Sequence, residues 1–237
     1  MPTAHACMLL CPWLLAGCAA AATTEDRPFS PIDMGGCQRG AVIEDGENAD
    51  HQVIVQEGRN GYLYSFLDNA GSTVTPTAGR DGGTFTQSEG GANGSLWAAR
   101  ITGKTADGQN AYAGLGINMV DPKGPYDASK FSGVAFFARR GKGVTKVRLK
   151  VPDASTDPDG KVCTECFNDF GADIELAETW QQFTIPFDQL GQMPGWGAPR
   201  PGSIDTSKIY GLQWQVATPG SDYDVWIDDV TFYGCKR

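Results

Sequence analysis

Histidine is nearly absent from this sequence: His5 and His51 are the only two in 237 residues. That scarcity excludes most histidine-based acid–base catalysis and most zinc-site arrangements. A cationic surplus is missing too. The net charge is −9, opposite in sign to what phosphate binding requires, so nucleic acid is not an expected partner. One local exception, residues 139–150, carries six Lys or Arg residues; it reads as a solvated hairpin or a contact for an anionic ligand. No long stretch carries a 3.6-residue apolar period, and no G-x-S-x-G elbow is present.

What is present is turn chemistry between short strand-like runs. Glycine is abundant and proline scattered, which points to an all-β sandwich or barrel in a single domain. Strands are expected at 41–43, 61–66, 95–101, 111–119, 133–139, 146–151, 181–187, 210–216 and 224–233. Alternation is clear in three of them. Leu115, Ile117 and Met119 oppose Gly114, Gly116 and Asn118; Val147, Leu149 and Val151 oppose Arg148 and Lys150; Leu212, Trp214 and Val216 oppose Gln213 and Gln215. With Val134, Phe136 and Ala138 in the core, Phe137 and Arg139 take the far side of their strand. The outward set is thus Asn118, Phe137, Arg139, Arg148, Lys150, Gln213 and Gln215. Amides and charges mixed with an aromatic suit a sugar, which needs rings to stack on and forked hydrogen-bonding groups for its hydroxyls. The same set also suits the solvated side of an antiparallel sheet.

The first residues concern location. Residues 8–17 form an apolar core of signal-peptide length, too short to span a bilayer. It ends in Leu15-Ala16-Gly17-Cys18, which resembles the lipobox of bacterial lipoproteins. That resemblance implies a signal peptide at 1–17, a lipidated Cys18 and a lipid-anchored protein of the cell envelope. Ala19 after the cysteine resembles the pattern of outer-membrane lipoproteins. Residues 18–36, small, polar and proline-containing, read as a tether, and the folded domain as 37–237. Cys37, Cys163, Cys166 and Cys235 then remain, an even number in an oxidising compartment. Three pairings are possible; Cys37–Cys235 and Cys163–Cys166 are favoured.

The strand at 224–233 holds Asp228 and Asp229 side by side in an apolar run. Strict alternation would point one of them at the core, where an unpaired carboxylate is costly. A calcium ion shared with the acidic loop Glu44, Asp45, Glu47 and Asp50 would resolve this, since calcium takes six to eight oxygen ligands.

Several segments together resemble family 11 carbohydrate-binding modules and related lipoproteins: Ile43-Glu44-Asp45-Gly46-Glu47, Gly58-Arg59-Asn60-Gly61-Tyr62-Leu63-Tyr64, Phe136-Phe137-Ala138-Arg139, Val151-Pro152-Asp153, Trp180-Gln181-Gln182-Phe183-Thr184-Ile185-Pro186-Phe187 and Trp226-Ile227-Asp228-Asp229. The resemblance implies a galactose-binding-like jelly roll of two antiparallel sheets, stabilised by calcium at Asp45, Glu47 and Asp228, to which the strand reading adds Asp229. It also implies a concave face binding β-glucan or a related polysaccharide through Tyr62, Tyr64, Phe137, Arg148 and Gln213. The dense tyrosines of that family are replaced in the later strands by Phe137, Arg148 and the two glutamines. Two other readings remain: an envelope lipoprotein that binds a protein partner, and a jelly-roll glycoside hydrolase. For the latter, Asp173, Glu175 and Glu178 resemble an E-x-D-x-x-E carboxylate signature.

Overall fold

The computed structural model describes Met34, Cys37 and residues 39–79 and 85–235. The expected signal peptide, Cys18 and nearly all of the tether lie outside the described residues. Among those described, no helix is long and apolar enough to cross a membrane.

Twelve strands build two antiparallel sheets. They are β1 (Val42–Glu44), β2 (Leu63–Leu67), β3 (Thr73–Thr75), β4 (Ser88–Glu89), β5 (Trp97–Lys104), β6 (Ala113–Asn118), β7 (Gly133–Gly143), β8 (Lys146–Val151), β9 (Phe170–Glu175), β10 (Gln181–Pro186), β11 (Gly211–Val216) and β12 (Asp222–Tyr233). One sheet has the order β10-β7-β12-β5-β3, with β1 added beside β12 and β4 beside β5; the other is β2-β6-β11-β8-β9. This is the jelly-roll sandwich expected from the sequence. The two sheets meet over Trp214, fully buried, whose ring stands edge-on to Phe136 at 5.2 Å. An alternating strand puts its apolar half against the opposite sheet, and here Leu212, Trp214 and Val216 do so.

The chain's longest strand, β12, is central because it pairs along its length with β7 and in turn with β5 and β1. Its alternation breaks in the middle. Tyr223, Val225 and Ile227 are buried before the break, Val230 and Phe232 after it. Asp228 faces Phe137 and Thr231 faces Ala135, so two residues on β12 oppose one on β7: a β-bulge. Asp229 sits there at φ 51°, a left-handed conformation that aspartate tolerates better than most residues. Strict alternation therefore does not hold through the pair, yet the expectation of an enclosed, hydrogen-bonded carboxylate stands: Asp228 and Asp229 are both buried, and Asp228 accepts from two backbone N–H groups. The bulge also marks where β12 leaves β5, its partner through Ile227, for β1, its partner from Val230.

Both favoured disulfides are formed, Cys37–Cys235 and Cys163–Cys166, each with Cα atoms 5.1 Å apart. The first joins the start of the domain to the end of β12. Beside this closure lies Arg59, almost fully buried. It donates to the Tyr126 hydroxyl and to the carbonyls of Gly40 and Val42, and its guanidinium lies over Tyr126 and Phe232. A buried cation is tolerable when oxygens and ring faces replace water in this way.

Candidate functional site: the outer face of the five-stranded sheet

The sheet β2-β6-β11-β8-β9 turns one face to the core and one outward, and its outward side chains change character from edge to edge. On β2 and its flank, Tyr62, Tyr64 and Phe66 occupy every second position. Their rings follow one another at 6.2 and 6.1 Å, and Tyr112, just before β6, continues the row 6.2 Å beyond Phe66. The neighbouring strand explains how these rings lie. Tyr64 pairs with Gly116 and Phe66 with Gly114. A Cβ on Gly116 would come within 2.3 Å of the Tyr64 ring, and one on Gly114 within 2.3 Å of the Phe66 ring. The two glycines thus let the rings lean flat over β6, forming a shelf of partly exposed aromatic surface.

Beyond that shelf the face is polar. Gln213 and Gln215 on β11 pair with Gly116 and Gly114 on one side and with Lys150 and Arg148 on the other. Gln213 donates to the Tyr64 hydroxyl at 2.9 Å, and burial pushes the Tyr64 phenol well above its usual range. The cations of β8 are matched by acids. Lys150 Nζ meets Asp169 at 2.9 Å, both side chains largely buried. Arg148 donates to Asp173 at 3.1 Å, and its other arm donates to the carbonyls of Gly171 and Gly191. The second carboxylate oxygen of Asp169 is enclosed and has no hydrogen-bond partner. The face therefore offers a stacking surface at one edge and fixed amides and ion pairs at the other, with little net charge between them.

Of the residues expected here, Tyr62, Tyr64, Arg148, Lys150, Gln213 and Gln215 are brought together, and Asn118 sits buried at the end of β6 on the same side. Phe137 and Arg139 are not. They lie on β7, in the other sheet, and the expectation that they share this face is corrected. Two strands can show the same alternation and belong to opposite layers, and alternation alone does not assign the layer. On the outside of its own sheet Arg139 serves a different purpose. Its guanidinium lies 4.0 Å from the centre of the Trp226 ring and 5.1 Å from that of Trp180. Arg100 covers Trp226 as well, at 4.4 Å, and is held by Asp224 in a paired salt bridge. These Arg–Trp stacks link β5, β12 and β7 of that sheet with Trp180, just before β10. The sequence reading left Phe66 and Tyr112 out of this face, and took Asp173 for a catalytic carboxylate where the structure makes it the partner of Arg148. Phe66 continued the every-second-residue spacing of Tyr62 and Tyr64, so its signal was available.

Of the carboxylates named for hydrolysis, Asp173 and Glu175 lie two residues apart on the exposed side of β9, and Glu178 does not join them. Burial pushes Asp173 upward, but hydrogen bonds from Lys146 and Arg148 prevail and hold it below the usual carboxylate range, the reverse of what a general acid needs. Glu178 lies beyond β9 and pairs with Arg140 of β7 in the other sheet.

The acidic loop and the aspartate pair do come together, at the bulge end of β12. Asp228 accepts from the backbone N–H groups of Ala92 and Asp229, Glu44 from Gly46 N–H and the Gln87 amide, and Glu47 from the Ser95 hydroxyl. Burial pushes the Glu44 carboxyl up to about 8, with Asp45 and Asp228 adding to the rise. Among the described residues, no three acidic, histidine or cysteine side chains converge as metal ligands would.

No family model matches the chain, and no curated protein matches it significantly. Solved structures do. A family 11 carbohydrate-binding module from Clostridium thermocellum, in complex with a β-1,3-1,4-mixed-linked tetrasaccharide, aligns with a TM-score of 0.55 at 13% identity, covering 82% of this chain and 95% of that one. A second structure of a family 11 module, from a cellulosomal cellulase of the same organism, gives 0.57 at 14% identity over 82% and 94%. A family 30 carbohydrate-binding module gives 0.51 at 12% over 83% and 89%. The chain has the jelly-roll fold of these modules.

Proposed function

We propose that this protein is a non-catalytic carbohydrate-binding domain that holds a β-glucan or a related polysaccharide across the outer face of its five-stranded sheet. The observation that carries the reading is the aromatic shelf Tyr62–Tyr64–Phe66–Tyr112, laid over a strand whose outward positions are glycine. Pyranose rings present flat C–H faces that stack on aromatic rings, while their hydroxyls take and give hydrogen bonds at the edges. Gln213, Gln215, Arg148 and Lys150 supply those edges on the neighbouring strands. The family 11 module with its bound tetrasaccharide is consistent with this ligand class.

Two further parts of the reading are proposed on sequence grounds: attachment to a bacterial envelope, expected to be the outer membrane, through lipidated Cys18, and a structural calcium ion drawing together Asp45, Glu47, Asp228 and Asp229. Affinity electrophoresis against soluble mixed-linkage glucan, xylan, mannan and peptidoglycan fragments tests the function. Retarded migration without release of reducing ends is the expected result. Released reducing ends would replace the reading with a hydrolase, and unretarded migration in every gel would leave an envelope protein that binds another protein.

A further inference from the structure

Seven large apolar side chains are well exposed among the described residues, and four of them, Val162, Phe167, Met193 and Trp196, occur on two loops that are tied to one another. The ties are numerous. Asn168 is buried, its amide donating to the carbonyls of Met193 and Trp196 and accepting from the Met193 N–H. Gln192 donates to the Asn168 carbonyl, and Glu165 and Ala198 form a two-way backbone bridge. Cys163–Cys166 closes the first loop. Gly197, at φ 84°, packs so tightly that a Cβ there would sit 2.6 Å from that of Asn168. Phe167 adds a second, independent feature. Its backbone is left-handed, at φ 74°, which is rare for a bulky residue and costs about 1–2 kcal/mol. Its N–H donates to the Thr156 carbonyl, while its ring stays 60% exposed. Folding gains nothing from holding that ring in water at the expense of backbone strain, so the observation points to a binding role.

The location identifies the occupant. Asn168 immediately precedes Asp169, the partner of Lys150 on the candidate face, and Gln192 follows Gly191, whose carbonyl receives Arg148. The two loops are thus fixed to the β9 edge of the same sheet whose β2 edge carries the aromatic shelf. Four strand spacings of about 4.8 Å put roughly 19 Å between those edges, a distance an oligosaccharide can cross. Four side chains are far too few for a stable protein interface, which needs about 20–30 residues a side, whereas one or two aromatic faces suffice for a sugar ring. The structure assigns to Trp196 and Phe167 a second stacking subsite, at the β9 edge, for a polysaccharide chain that also lies on the aromatic shelf. This rests on the carbohydrate-binding reading above.

The test uses the whole protein, Trp196→Ala and Phe167→Ala, with Tyr64→Ala as reference, titrated with mixed-linkage β-glucan polysaccharide and with a disaccharide fragment of it. Both loop residues are exposed, so the variants should melt as the wild type does. Each loop variant should bind the polysaccharide about tenfold more weakly, and the disaccharide, too short to reach from the shelf to the β9 edge, as the wild type does. Tyr64→Ala should lose both ligands. Loop variants that bind both ligands like the wild type, while Tyr64→Ala binds neither, would overturn the second subsite and leave the shelf intact. A wild type that binds no glycan would overturn the reading on which the subsite rests.

Discussion

The aromatic shelf depends on what glycine leaves out. At Gly116 the Tyr64 ring and its hydroxyl occupy the space a methyl group would take, so Gly116→Ala should lift that ring from β6 and disturb the hydrogen bond its hydroxyl accepts from Gln213. Glycan affinity is expected to fall about tenfold, roughly 1.4 kcal/mol, which isothermal titration would read directly. Unchanged affinity would mean the ring's tilt is irrelevant to binding. At the other end of the molecule, Glu44 makes a pH prediction. Its folded-state pKa, about 8, lies above its ordinary value of 4.5, so the folded protein holds a proton that the unfolded chain releases. The contribution is complete below pH 4.5, falls across the window and is gone above pH 8. Urea melts in chelator should show wild-type stability declining in that window by up to about 1.4 kcal/mol per pH unit relative to Glu44→Gln. Parallel pH profiles for the two proteins would show that Glu44 ionises normally.

At the scale of the elements, β12 is where local pattern and fold part company. Its β-branched and aromatic composition marked it as a strand, and the alternation of β6, β8 and β11 correctly gave the inward residues of each. The Asp228-Asp229 bulge was not legible, because it arises from β12 changing partner from β5 to β1, a fact of tertiary pairing. The same limit misplaced Phe137 and Arg139. Arg139 does face outward while Phe137 is buried, and the sheet was wrong for both, since a sequence gives the period of a strand and not the layer it joins. Phe66 was overlooked although it stood in register with Tyr64, and the pairing of Lys150 with Asp169 was not legible because it depends on β8 meeting β9. The bulge also bears on calcium. If the ion closes the loop at Asp45 and Glu47 against Asp228 and Asp229, calcium at a hundredfold above its dissociation constant should add about 2.7 kcal/mol of stability. A melting temperature that neither calcium nor chelator moves would remove the ion from the account.

Across the whole molecule, the closure and the proposed binding face occupy different places. The ends of the domain are joined by Cys37–Cys235, the buried Arg59 and the β1–β12 pairing, all on the seven-stranded sheet or beside it. That sheet's outer surface is covered by the Arg100–Trp226–Arg139–Trp180 stacks. The five-stranded sheet presents the shelf and the polar rows, so substitutions on the two outer faces should separate stability from binding. The central claim is tested most directly by migration of the wild type, Tyr64→Ala and Arg139→Ala through native gels containing mixed-linkage β-glucan. Retardation of the wild type and of Arg139→Ala, with Tyr64→Ala folded but migrating freely, is the predicted result. Retardation that survives in Tyr64→Ala and disappears in Arg139→Ala would place the ligand on the opposite sheet and contradict the account.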